Sequence, residues 1–125
     1  MLILDTNILI AYLNDEEQFV KQLLNWRENS VNLFISVITE IEIFSLPSLT
    51  FAEIDTIHYF LREFTVIPLD SQLGKIAAGL RRRYRIKLGD SVIIATAKLT
   101  NFTLVTQDKG IISKAKDLVR IQTIA

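Results

Sequence analysis

Apolar residues follow two alternating patterns along the chain. Short runs that are apolar nearly throughout, Leu2–Leu4, Leu33–Ser36, Thr65–Leu69, Thr103–Thr106 and Leu118–Ile124, are separated by longer segments in which apolar residues recur every three or four positions. Near-continuous runs are how strands covered on both faces read. The spaced segments predict helices, with stripes through Phe19, Leu23 and Trp26, through Ile54, Ile57, Leu61 and Phe64, through Ile76, Leu80 and Tyr84, and through Ile93, Ile94, Ala97 and Lys98. Strands alternating with helices predict an α/β fold, a mainly parallel central sheet with helices on both sides.

Composition narrows this picture. The chain has 125 residues, half of them hydrophobic and 22% charged, which predicts a single domain over 1–125 with an ordinary core. A chain of this size buries roughly 65–70% of the surface it exposes when unfolded. There is no cysteine, so disulfides, thiolate metal sites and a cysteine nucleophile are excluded. No basic leader precedes the first apolar run, which Asp5 interrupts, and the longest uncharged stretch, Asn29 to Thr39, falls far short of the ~18 residues that span a bilayer. The expected location is the cytoplasm, with no membrane partner. Fourteen basic and 14 acidic residues balance. Bulk electrostatics therefore cannot hold nucleic acid, although a local basic patch or a bound metal can.

The chemistry sits where the predicted strands end. In open parallel sheets ligands occupy the crevice beyond the carboxyl ends of the strands. Asp5 follows the first strand, Glu40 lies in the first turn of a helix after the second, Asp108 in FTLVTQDKG stands two residues after a strand, and Asp90 opens the apolar helix of KLGDSVIIATA. Each taken singly reads as a helix cap or first-turn carboxylate, worth ~0.3–2 kcal/mol. Asp70, in VIPLDS, reads as a plain cap. As a group they differ. Carboxylates about 5 Å apart repel by roughly 3 kcal/mol per pair at an effective dielectric of 20, against a fold stable by ~5–15 kcal/mol. Convergence therefore demands protonation or a cation. With no Cys and one His, the oxygen donors suit Mg²⁺ or Mn²⁺ rather than Zn²⁺.

Four segments in this order, LDTN, SVITEIEI, RRRYRIKLGDSVIIATA and VTQDKG, make the chain resemble the PIN domain family, closest to VapC-type toxins of toxin–antitoxin pairs, from Met1 to about Ile111. The resemblance implies a three-layer α/β/α domain. It implies a hydrolase, an endoribonuclease that cleaves RNA phosphodiesters with one or two Mg²⁺ or Mn²⁺ ions. Asp5, Glu40, Asp90 and Asp108 would be the catalytic and metal-binding set, with Thr6 and Thr106 as supporting hydroxyls. Helix phase leaves both Glu40 and Glu42 open, because both helix faces are apolar; the resemblance favours Glu40. It also implies a homodimer and a small antitoxin whose C-terminal segment covers the crevice. Relatives often carry a proline at the position of Gly89, and a second acidic residue and an aromatic at those of Gly110 and Ile111.

A divalent ion lowers the pKa of a bound water and neutralises charge on phosphate; in-line attack by such a water would leave a 5′-phosphate and a 3′-hydroxyl. Arg81, Arg82, Arg83, Arg85 and Lys87 form the one basic cluster and are candidate RNA contacts, or else a solvated helix C-terminus. His58 reads as a partly exposed structural residue, and Phe19, Trp26, Tyr59, Phe60 and Phe64 read as core, or for some of them as a protein interface. Two other classes compete. An aspartyl-phosphate enzyme would use Asp5 as nucleophile and Lys109 as charge partner, but the residue two beyond is Asn7 rather than Asp; a stable beryllium fluoride adduct would favour it. A non-catalytic PIN-like binding module would bind RNA or a partner independently of Asp5.

Overall fold

The computed structural model describes residues 1–124. The elements run β1 (Leu2–Leu4), α1 (Thr6–Leu13), α2 (Glu17–Glu28), β2 (Leu33–Ser36), α3 (Val37–Phe44), α4 (Phe51–Leu61), β3 (Thr65–Ile67), α5 (Ser71–Tyr84), α6 (Leu88–Thr100), β4 (Thr103–Val105), α7 (Lys109–Ala115) and β5 (Ile121–Gln122). All five strands are parallel, in the order β3-β2-β1-β4-β5. Helices cover both faces, giving the three-layer α/β/α architecture that the alternation predicts.

The strands read as unbroken apolar runs because neither face meets water. Ile3, Leu4, Ile35, Leu104 and Val105 are wholly buried. Two cores result. One packs Leu9, Phe19, Leu23, Trp26 and Phe60 against one face of the sheet; the other packs Leu73, Leu80, Ile93, Ile94 and Ile111 against the opposite face. Phe19, Trp26, Phe60 and Phe64 are core as predicted, but Tyr59 is 71% exposed, with the Arg62 guanidinium over its ring.

Three strands are shorter than their apolar runs, β4 by the one residue Thr106. β3 stops at Ile67 because Pro68 has no N–H to continue the ladder. β5 is confined to Ile121–Gln122 because Leu118 and Val119 still donate backwards to the carbonyl of Ala115.

The strand order places the crevice. From β1 the chain adds β2 and β3 on one side, then returns to lay β4 on the other side of β1. The topological switch point therefore lies between β1 and β4, and the segments leaving their carboxyl ends diverge there. Asp5 follows one of these strands, and Thr106 and Asp108 follow the other.

Candidate active site

Asp5 occupies the N-cap of α1 in extended backbone, yet its side chain makes no capping hydrogen bond. The control residues behave otherwise. Asp70 accepts from Leu73 N at 2.9 Å, and Asp108 accepts from Ile111 N at 3.0 Å. An N-cap carboxylate normally satisfies one of the free N–H groups of the first turn. Asp5 instead turns into the crevice, 98% removed from solvent, where the Thr106 hydroxyl donates to its Oδ2 at 2.9 Å. The same hydroxyl accepts from Asp108 N at 3.1 Å, so Thr106 joins the ends of β1 and β4 in one hydrogen-bond chain.

Asp90 lies in the first turn of α6, half-buried, and lines a cavity of about 120 Å³ together with Asp108. The fields of these carboxylates overlap. Burial pushes the Asp5 carboxyl up to about 6, and Asp90 and Asp108 push it further in the same direction against the Thr106 hydrogen bond. Asp90 is raised by burial, then by Asp108 and by Glu42, while Lys87 and Lys114 pull it down. Sequence reasoning places Asp5, Asp90 and Asp108 at one crevice, and the structure brings these three there.

The glutamate differs from the sequence expectation. Thr6 donates to Glu42 Oε1 at 2.7 Å and shares a 2.9 Å hydrogen bond with the Thr39 hydroxyl. Glu42 also stands against Gly89 at the start of α6, where a Cβ would lie 3.1 Å from its Oε2. Thr39 and Glu42 are three apart on α3 and share a face; Glu40, two residues from Glu42, is about 200° round the helix and points elsewhere. Glu42, not Glu40, is the α3 carboxylate beside Thr6 and Asp90. The signal that would have found it is the Thr39–Glu42 spacing after Ser36, whose hydroxyl caps the helix by accepting from Ile38 N.

The basic cluster divides. Arg81, Arg82, Arg85 and Lys87 line one shallow depression beside the crevice, whereas Arg83 faces a separate hollow with Tyr84 and Lys98. Lys87, the N-cap of α6, also lines the acidic cavity. His58 is exposed on α4, its ring 4.6 Å from that of Phe44.

No three of the described His, Asp or Glu side chains stand close enough together to hold an ion in common as they are. The donor chemistry nevertheless fits a hard divalent cation. Every candidate ligand is a carboxylate oxygen, and the buried Asp5 bears its charge in the field of two more. No helix among the described residues is long and apolar enough to cross a membrane.

Comparison with known proteins follows the same lines. A family model described as "PIN domain" matches residues 2–117. Among solved structures, a toxin–antitoxin complex from Klebsiella pneumoniae is 26% identical, covering 90% of this chain and 91% of that one, with a TM-score of 0.78. FitAcB from Neisseria gonorrhoeae is also 26% identical, covering 97% and 96%, with a TM-score of 0.73. VapBC2 from Rickettsia felis, bound to a DNA fragment from its promoter, is 20% identical over 99% and 98%, with a TM-score of 0.78, and shares the fold. A comparison with curated proteins returns no match.

Proposed function

We propose, from the premise that this chain belongs to the PIN domain family, that it is a divalent-metal-dependent endoribonuclease and the toxin of a toxin–antitoxin pair. The observation that carries the reading is the behaviour of Asp5. It sits where a carboxylate would ordinarily cap a helix, leaves the cap bond unmade, and faces Asp90 and Asp108 from a buried position at the switch point of the sheet. Burial of a charge near like charges costs the fold several kcal/mol unless a counter-ion arrives, so the arrangement makes physical sense as a binding site.

Asp5, Asp90 and Asp108, with Glu42 in place of Glu40, would hold one or two Mg²⁺ or Mn²⁺ ions, which when bound supply an activated water and neutralise charge on the phosphate. The chain's own residues set up that site. Thr106 fixes the Asp5 carboxylate and the backbone of Asp108 through one hydroxyl. Thr6 holds Glu42 beside the first turn of α6. Ile86, Ile94 and Ile111 form an apolar wall of the cavity beside Asp90 and Asp108, and electrostatic contacts against such a wall are stronger than in open water.

The toxin–antitoxin complex of the similar protein from Klebsiella pneumoniae supports an antitoxin partner; a short open reading frame adjoining this gene would be its source. A homodimer belongs to the same reading, as does action in the cytoplasm on RNA. The test compares RNA cleavage by the wild type, Asp5→Asn and Asp90→Asn, each with Mg²⁺ and with EDTA. Cleavage that needs Mg²⁺ and falls at least 100-fold in both variants is expected; cleavage that survives EDTA or Asp5→Asn overturns the reading.

A further inference from the structure

The cavity beside the acidic site carries two lysines for which the carboxylates do not account. Lys87 lines it from the N-cap of α6 and Lys114 from the last turn of α7, together with Asp90 and Asp108. Cations placed among carboxylates usually form ion pairs. Here neither does: among the described residues the ion pairs within 4.0 Å are Lys21–Glu17 and Arg27–Glu63, both far along the chain from the crevice.

Lys114 is held another way. Its Nζ donates to the backbone carbonyl of Arg85 at 3.2 Å. Arg85 is the left-handed residue, at φ 56°, that ends α5 and turns the chain towards Lys87. The tether therefore fixes the ammonium to the link between the arginine cluster and α6. An ammonium has three donors, and this bond uses one. Two donors remain, in no ion pair within 4.0 Å, at a cavity that Asp90, Asp108 and Lys87 also line.

A polyanion cannot approach such a crevice on the strength of its carboxylates. It needs fixed cations beside them, and lysine is a strong point-charge ligand for phosphate. We propose that Lys114, with Lys87 on the same cavity, binds a backbone phosphate of the RNA strand next to the acidic residues and so positions the strand in the crevice. The inference rests on the ribonuclease reading and deepens it. It extends the RNA-contacting surface beyond the α5 cluster to α7.

The test measures binding of a short single-stranded oligoribonucleotide across a range of NaCl, in the full chain carrying Asp5→Asn to prevent cleavage. Lys114→Met should weaken binding several-fold and flatten the slope of log affinity against log salt by about 0.7, the contribution of one phosphate contact to single strands. Lys114→Arg should restore both. Lys116→Met removes the same charge at the C-cap of α7, outside the cavity, and should leave the slope unchanged. A thermal melt establishes that each variant is folded, and Lys114→Gln, which also removes the charge, carries the test if the methionine variant is not. In the otherwise wild-type chain, Lys114→Met should raise KM more than it lowers kcat. An unchanged slope in Lys114→Met, or an equal loss in Lys116→Met, overturns the assignment to Lys114. Where that happens while the wild type still cleaves RNA through Asp5, the nuclease reading stands and the lysine's role alone falls. A wild type that cleaves no RNA overturns both.

Discussion

Thr106 Oγ1 donates to Asp5 Oδ2 at 2.9 Å, a buried bond between residues 101 positions apart. It closes the site across the switch point, and it is the one side-chain hydrogen bond that favours the charged form of a carboxylate which burial and two like charges disfavour. Thr106→Val keeps the shape and deletes the donor. The carboxyl should then titrate still higher than about 6, and the fold should lose ~1–3 kcal/mol at neutral pH, the cost of leaving a buried acceptor unpaired. Carboxyl chemical shifts followed against pH, with urea unfolding at pH 7, check both. An Asp5 titration that does not move would show that this bond does not set its proton affinity.

The raised Asp5 carboxyl fixes the sign of a stability change. Its ordinary value is 3.8 and its folded value about 6, so the folded state binds the proton more tightly than the unfolded one. The stabilising contribution is complete below the lower value and disappears as pH rises through about 6. A gap of about two pH units corresponds to roughly 3 kcal/mol. Metal-free protein should therefore weaken between about pH 4 and about pH 7 relative to Asp5→Asn, which lacks the group. Mg²⁺ at neutral pH should raise the melting temperature of the wild type and leave Asp5→Asn less affected. Denaturant unfolding in EDTA across that range measures the difference; parallel curves for the two proteins would remove Asp5 as its source.

Much of this site was legible from strand ends. A parallel sheet read from continuous apolar runs tells where its crevice is, and Asp5, Asp90 and Asp108 each sit one or two residues from a predicted boundary. Two things were hidden. α3 carries isoleucine or valine on every side, so the apolar pattern gave no helix phase with which to choose between Glu40 and Glu42; the hydroxyl pair Thr6–Thr39 chooses instead, through contacts 33 and 36 residues apart. Lys114 was equally invisible, because its relation to Asp90 depends on how α7 packs beside α6, which no local spacing records.

The choice between the two glutamates gives a direct prediction. Glu42→Gln removes a charge that Thr6 holds and that acts on Asp90, and RNA cleavage should fall by at least tenfold. Glu40→Gln changes a half-buried residue about 200° round α3 from Glu42, and cleavage should stay within about twofold of wild type. Initial-rate cleavage assays on the two variants decide. Equal losses would mean that both carboxylates serve the site, and a loss confined to Glu40→Gln would restore the assignment that the family resemblance favours.

Gly89→Ala separates folding from function. In the first turn of α6 an alanine is the better helix former, by up to ~1 kcal/mol in a helix interior and less near an end. The new Cβ would stand 3.1 Å from Glu42 Oε2, closer than a relaxed contact. What it meets is the tip of a flexible, exposed side chain rather than backbone, so the fold can yield by moving the carboxylate a few tenths of an ångström. The helix then keeps its gain while Glu42 shifts against its 2.7 Å bond from Thr6. Melting temperature should hold or rise slightly, and RNA cleavage should fall several-fold, because small displacements of positioning groups are costly in rate. Stability lost together with activity would mean that the carboxylate cannot move and that Gly89 is required for packing. Activity retained at full stability would mean that the site tolerates Glu42 away from its place beside Thr6.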